Sequence, residues 1–147
     1  MSRHLRPERC GLVGLLIVAT TVAAACGGPS GNGALPTTVH LTAADAGRTV
    51  ALAVGGHLEV VLDSTYWTFL PLPPGGILRS DGPPQVVPRP GHCVPGQGCG
   101  TVTIEVTATA PGTAAVSATR TTCGEALRCG PGQGAFRALV TVRAPTL

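Results

Sequence analysis

The sequence predicts an all-β fold, a single antiparallel β-sandwich of about seven strands. Short stretches of alternating apolar and polar residues recur along the chain, and frequent glycine and proline turns separate them. No stretch of ten or more residues carries a convincing helical stripe. About 110 of the 147 residues follow an N-terminal leader and linker, which is enough for one domain with a single core.

The leader has the layout of an export signal. Arg3, Arg6 and Arg9 give it a positive start, residues 11–22 form an apolar run, and small residues lead up to Cys26. The run is about a dozen residues long and a membrane-spanning helix needs roughly 20, so the pattern indicates a processed signal. We therefore expect three parts: a signal peptide (1–25), a Gly/Pro-rich tether (26–36) and a β-sandwich domain (37–147).

Ala23-Ala24-Ala25-Cys26 resembles the lipobox of bacterial lipoproteins, although Ala23 stands where that family prefers leucine. The resemblance implies cleavage before Cys26 and acylation of its thiol. It also implies export and a lipid anchor on the outer face of the bacterial cell membrane. The alternative is ordinary cleavage after Ala25, which would leave a soluble protein with a free Cys26 thiol.

Most of the positive charge of the chain belongs to this leader. The net charge is +3, and the leader contributes +2 of it through three arginines and Glu8. The remaining +1, together with the scarcity of aromatic residues, excludes a surface built for phosphate backbones or stacked bases. No nucleic-acid partner is expected.

Alternation of apolar and polar residues places the strands at 38–42, 48–54, 57–62, 101–108, 113–120 and 135–143. Gly55-Gly56 joins the second and third of these strands, and such a pair between alternating runs predicts a tight hairpin. Leu58, Val60 and Leu62 are expected in the core. Residues 71–100 break the alternation with many prolines and glycines, so this segment is predicted to be a long loop and a candidate binding surface.

The cysteines after the tether form two segments of equal length, Cys93 to Cys99 and Cys123 to Cys129. In an exported protein an even count favours two disulfides, and we expect the local pairs, with cross-links between the two segments as the alternative. A zinc site made by all four is disfavoured, because structural zinc ligands usually have about two to four residues between them. Cys10 is removed with the leader. If Cys26 is acylated, the four remaining cysteines can form two disulfides and leave no free thiol.

No residue set in the sequence indicates catalysis. His92 lies beside Cys93, but a disulfide-bonded cysteine has no thiolate for nucleophilic attack. The sequence has no Gly-x-Ser-x-Gly elbow, no phosphate-cradling loop and no His-Glu-x-x-His run. We therefore expect a protein that is not an enzyme and that has no cofactor, no metal and no small-molecule substrate.

Residues 38–142 resemble the chagasin-type inhibitors of papain-like cysteine proteases. Their first binding loop reads Asn-Pro-Thr-Thr-Gly-Tyr-x-Trp, and the segment Ser64-Thr65-Tyr66-Trp67-Thr68-Phe69 is similar to its latter part. Ser64 and Thr65 stand for the threonine pair, Trp67 for the tyrosine and Phe69 for the tryptophan. The Asn-Pro start is reduced to Asp63, and Tyr66 replaces the glycine.

Two further segments extend the resemblance. Gly98-Cys99-Gly100 and the strand that follows are similar to the second, glycine-rich loop of these inhibitors. Arg120-Thr121-Thr122 keeps only the arginine of the third loop, Arg-Pro-Trp, and the segment from Cys123 to Cys129 is an insertion after it.

The resemblance implies an immunoglobulin-like sandwich that blocks a papain-like cysteine protease with three loops from one end. In that role Ser64, Thr65 and Tyr66 enter the cleft, Trp67 supports the loop or anchors the rim, and the loops around Gly98 and Cys123 flank the first loop. Alternatively, Trp67 and Phe69 are core aromatics. The implied protein-binding residues are Asp63, Ser64, Thr65, Tyr66, Trp67, Gly98, Gly100, Arg120, Thr121 and Thr122. The alternative function is a non-inhibitory binding or structural module of the cell envelope, whose partner is another envelope protein.

Overall fold

The structure, a computed structural model, describes residues 34–145 except Pro90 and Ala126. The expected signal peptide, Cys26 and the tether as far as residue 33 lie outside these residues. Within the described part, no helix is long and apolar enough to cross a membrane. The strands found there are β1 Thr38–Thr42, β2 Thr49–Ala53, β3 His57–Asp63, β4 Thr68–Phe69, β5 Leu78–Ser80, β6 Gln85–Pro88, β7 Gly100–Ala108, β8 Gly112–Thr119 and β9 Ala135–Arg143.

These strands form two sheets, which confirms the all-β sandwich. In the first sheet, called sheet A, the order is β1-β3-β7, and β5 and β6 both pair with β7. In the second, sheet B, the order is β2-β9-β8-β4. Most of the strand pairs are antiparallel, as expected. The exceptions are β1, which runs parallel to β3, and β2, which runs parallel to β9. Both parallel pairs lie at sheet edges, because β1 is an edge strand of sheet A and β2 is an edge strand of sheet B. The chain crosses from one sheet to the other between these two strands.

The core lies between the two sheets and follows the predicted alternation. Alternate side chains of β3, β7 and β9 are buried, while their neighbours point outward. Residues of both sheets belong to one hydrophobic cluster. The buried residues of these three strands are Leu58, Val60, Leu62, Thr101, Val102, Ile104, Val106, Ala108, Phe136, Ala138, Val140 and Val142.

The tight hairpin predicted at Gly55-Gly56 is wrong. The strands on either side, β2 and β3, belong to different sheets and do not pair with each other. The backbone N–H of Gly55 instead donates to the carbonyl of Ala108 (2.8 Å), and the N–H of Gly56 donates to the carbonyl of Ala53 (2.9 Å). The two glycines therefore make a tight turn, but the turn crosses the sandwich. A glycine pair specifies a sharp reversal of the chain and does not specify which sheet receives the next strand.

The segment 71–100 is not one long loop, because it contains β5 and β6. Both strands pair antiparallel with β7, β5 along its second half and β6 along its first. They form the edge of sheet A, and every residue of β6 is exposed. Prolines at positions 83, 84 and 88 lack the N–H that another strand would need, which suits an exposed edge.

A short 3₁₀ turn, Ala43–Asp45, moves the chain from sheet A to sheet B. The backbone N–H of Thr42 donates to the Asp45 carboxylate (2.8 Å), and the guanidinium of Arg48 forms an ion pair with it. The hydrogen bond from Thr42 and the contact with Arg48 lower the pKa of Asp45 below its ordinary value. The charged carboxylate therefore helps to hold the crossover.

Candidate functional site

The topology brings three loops to one end of the sandwich. Loop A (residues 63–67) connects β3 to β4, loop B (89–99) leads into β7, and loop C (120–134) connects β8 to β9. Asp63 at the end of β3 is paired with Thr101 near the start of β7, and Thr119 at the end of β8 is paired with Ala135 at the start of β9. Because β4 pairs with the last residues of β8, all three loops leave the sheets at this end.

Loop A is bound to loop B through the backbone. The N–H of Thr65 donates to the carbonyl of Gly98, and the N–H of Ser64 donates to the carbonyl of Gly100, both at 2.8 Å. The ring of Tyr66 lies against Gly98 so closely that a β-carbon at this glycine would be 2.5 Å from the Tyr66 Cε2 atom. Gly98 also has a φ of +63°, which favours glycine. The two loops therefore fit together only with glycine at position 98.

Ser64 holds loop A in an uncommon backbone conformation. Its φ is +101°, a region that residues with a β-carbon rarely occupy. The Ser64 Oγ atom accepts a hydrogen bond from the backbone N–H of Tyr66 (3.2 Å), which closes a small turn. Strain of this kind persists only where the surroundings enforce it, and here the two bonds to loop B do so. Loop A is thus pre-organised.

Trp67 connects loop A to loop C from inside the domain. Its side chain is 5% exposed, and its Nε1–H donates to the carbonyl of Asp63 (3.0 Å). The guanidinium carbon of Arg120 lies 4.5 Å from the centre of the Trp67 ring, a cation–π contact. Arg120 in turn donates from its backbone N–H to the carbonyl of Gly134 (2.9 Å) and from Nε to the carbonyl of Gln133 (3.2 Å). Trp67 is therefore a support for the loops, not a contact surface.

Two disulfides close small rings in loops B and C. Cys93 is bonded to Cys99, and Cys123 is bonded to Cys129. The local pairing is the one expected from the spacing, and it excludes a zinc site built from the four thiolates. Across the residues that the structure describes, no group of three or more His, Cys, Asp or Glu side chains could hold a metal ion.

The tetrapeptide Pro-Gly-Gln-Gly, which the sequence repeats at 95–98 and 131–134, forms the same turn twice. In loop B the N–H of Gln97 donates to the carbonyl of Val94 (3.0 Å), and the Gln97 side-chain oxygen accepts from the Val94 N–H (3.2 Å). In loop C, Gln133 makes the same two bonds with Gly130, at 3.1 and 3.0 Å. The glycine that ends each repeat then accepts a backbone hydrogen bond from Thr65 or Arg120. The repeat is therefore a structural device that attaches loops B and C to the rest of this end.

The structure brings all of the sequence-predicted binding residues to this end of the sandwich. Asp63 and Thr121 are exposed, while Ser64, Thr65 and Tyr66 are half-buried. Gly98 and Gly100 act through the backbone, as described above. Thr122 forms a bridge with Arg128 inside loop C.

Sequence reasoning missed two kinds of residue at this end. Gln97 and Gln133 lock the repeated turns, and the repeat itself was a signal for them. Val94 and Leu127, on the two rings, are exposed apolar side chains. Alternation could not identify these two, because both lie in irregular loops.

Comparisons with known proteins bear on the fold. No protein-family model matches the chain, and the search of curated proteins returns no match. A crystal structure of a cysteine protease inhibitor from Entamoeba histolytica is similar at a TM-score of 0.50 with 12% identity, covering 72% of this chain and 95% of that one. The two share a fold.

Two further solved structures are similar to the chain at lower TM-scores. The solution structure of amebosin has a TM-score of 0.49 and 18% identity, covering 74% of this chain and 99% of that one. The structure of PbICP-C in complex with falcipain-2 has a TM-score of 0.32 and 15% identity, covering 77% of this chain and 95% of that one.

Proposed function

We propose that this protein inhibits papain-like cysteine proteases by placing the end formed by loops A, B and C in the active-site cleft. The observation that carries the proposal is the convergence of the three loops, with loop A fixed between the other two by backbone hydrogen bonds and by Trp67. The fold shared with a cysteine protease inhibitor supports it, as does the resemblance of Ser64 to Phe69 to the first loop of the chagasin-type inhibitors.

The rigidity of loop A suits an inhibitor of a protease. A loop that enters a cleft must resist being drawn into the extended conformation that cleavage requires. Here the N–H groups of Ser64 and Thr65 are already bonded to loop B, and the φ of Ser64 prevents an extended strand. Pre-organisation also lowers the entropy lost on binding, which favours tight association.

The proposal is tested by titrating the purified protein into papain and comparing a Thr65→Arg variant. In loop A a long cationic side chain would obstruct entry into the cleft, so inhibition should weaken by about 100-fold or more, on the order of 2.7 kcal/mol. The matched control is Thr113→Arg, since Thr113 is exposed near the start of β8 at the opposite end. The control should inhibit like the unmodified protein.

Thermal unfolding of both variants separates loss of folding from loss of contact. If the unmodified protein does not inhibit at micromolar concentration, the inhibitor proposal fails, and a non-inhibitory envelope module becomes the better account. If Thr65→Arg and Thr113→Arg inhibit equally, loop A is not part of the contact.

We further propose that the protein is exported and held on the outer face of the cell membrane by acylated Cys26. The Ala23-Ala24-Ala25-Cys26 segment supports this, and the position of β1 in sheet A is compatible with it. Thr38 is paired with His57 at the start of β3, whereas loop A follows the far end of the same strand. Residues 34–37, which precede β1, therefore join the domain at the end opposite the three loops.

The anchor predicts a clear effect of Cys26→Ser in the producing cell. The variant should move from the membrane fraction to the soluble fraction and should lack the mass of the acyl chains. Cys10→Ser is the matched control, since Cys10 belongs to the expected signal peptide, and it should fractionate like the unmodified protein. Unchanged fractionation of Cys26→Ser would refute the anchor.

A further inference from the structure

Two exposed apolar side chains lie on the disulfide rings at the loop end. Val94 in the first ring is 50% exposed, and Leu127 in the second is 66% exposed. Both are exposed although the sandwich has a core that buries other valines and leucines almost completely. Isolated apolar side chains are common on protein surfaces, but these two lie at the candidate binding end, where a bound partner would remove them from water.

Backbone hydrogen bonds hold Val94 and Leu127 within their disulfide-closed rings. In the first ring, the Val94 N–H and carbonyl are both bonded to Gln97, and the ring is closed by Cys93–Cys99. In the second, the Leu127 carbonyl accepts from the Cys123 N–H (2.9 Å), and its N–H donates to Gly124 (2.7 Å). Because these backbone groups are satisfied within the rings, the side chains are what the rings offer to a partner. A fixed apolar group loses little entropy when it is bound.

The two rings belong to loops on different sheets, and loop A contacts both of these loops. Loop B, with the first ring, leads into sheet A, while loop C, with the second ring, connects two strands of sheet B. Loop A crosses from sheet A to sheet B between them. It contacts the first ring region through Gly98 and Tyr66, and it contacts the base of loop C through Trp67 and Arg120. A partner that received loop A in a groove would therefore have one ring against each wall.

We propose that Val94 and Leu127 are a pair of apolar anchors that bind the two walls flanking the active-site cleft of the target cysteine protease. The anchor proposal rests on the proposed inhibitory function, and it names the two residues that determine affinity for the walls of the cleft. The partner surface is then a cleft with an apolar depression on each side. The half-buried Ser64, Thr65 and Tyr66 occupy the middle, and the rings supply the apolar contact area that these residues lack.

The test compares serine substitutions at the rings with serine substitutions at other exposed apolar positions outside loops A, B and C. Val94→Ser and Leu127→Ser should each weaken inhibition of papain about 10-fold or more. Burying such a side chain raises binding affinity by roughly 10- to 100-fold. The controls are Val86→Ser on the edge strand β6 (54% exposed) and Leu70→Ser after β4 (44% exposed), which should change inhibition less than about twofold.

The double variant sharpens the test. If the rings bind separate walls, the effects of Val94→Ser and Leu127→Ser should multiply, because distant contacts add in free energy. Inhibition by the unmodified protein together with ring variants that behave like the controls would overturn the anchor inference alone. Failure of the unmodified protein to inhibit would overturn the inhibitory function, and the assigned protease walls with it.

Discussion

Replacing Trp67 by alanine should destabilise the domain by about 3–5 kcal/mol, a large share of the roughly 5–15 kcal/mol that a domain of this kind has. The indole is almost completely buried, and deleting it leaves a cavity beneath loop A. It also removes the hydrogen bond to the Asp63 carbonyl and the ring over which Arg120 lies. The expected loss is measured by urea-induced unfolding of the variant and the unmodified protein.

Trp67→Phe is the control that separates these contributions. Phenylalanine keeps most of the apolar body but has no N–H, so its cost should be smaller, about 1–2 kcal/mol for the lost bond and the reduced volume. Because Trp67 supports the loops from inside, both variants should weaken inhibition beyond the effect on folding. A loss below about 1 kcal/mol for Trp67→Ala would contradict a buried supporting role.

Gly98→Ala should disrupt the contact between loops A and B. A β-carbon at this position would lie 2.5 Å from the Tyr66 ring, so the ring must move. The positive φ adds a cost of about 1–2 kcal/mol for any residue other than glycine. Displacing Tyr66 also disturbs the Thr65 hydrogen bond to the Gly98 carbonyl. We expect inhibition to weaken by roughly 100-fold or more, and the melting temperature to fall.

A double variant distinguishes the two causes. In a Tyr66→Ala background, Gly98→Ala no longer meets the Tyr66 ring but still has a positive φ. Gly98→Ala should therefore lower the stability less in that background than in the unmodified protein. Gly91→Ala is the control, because a β-carbon at Gly91 meets no atom within 4 Å. If Gly98→Ala behaves like Gly91→Ala, loops A and B are not packed as described.

The regular part of the fold was predictable because burial imposes a period of two on a strand. Val102, Ile104 and Val106 alternate with threonines and a glutamate, and the structure buries these three side chains as expected. What alternation cannot supply is the partner of each strand. The turn at Gly55-Gly56 looks the same in sequence whether it joins paired strands or crosses the sandwich, so the hairpin prediction failed there.

The candidate site was predictable only in outline. The equal spacing of the cysteines indicated two small rings, and both are present. The resemblance in Ser64 to Phe69 pointed to loop A, but it could not decide between contact and support for Trp67, because an aromatic residue at the end of a strand suits either. That choice depends on the positions of Arg120 and Asp63, which only the folded chain brings together.

The central claim is that the end formed by loops A, B and C binds in the active-site cleft of a papain-like cysteine protease. Its most direct test is calorimetric titration of the protein into free papain and into papain whose cleft is occupied by a covalent peptide-like inhibitor. We predict binding to the free enzyme, with loss of its activity, and no binding to the occupied enzyme. Equal binding to both forms, or binding to neither, would contradict the claim.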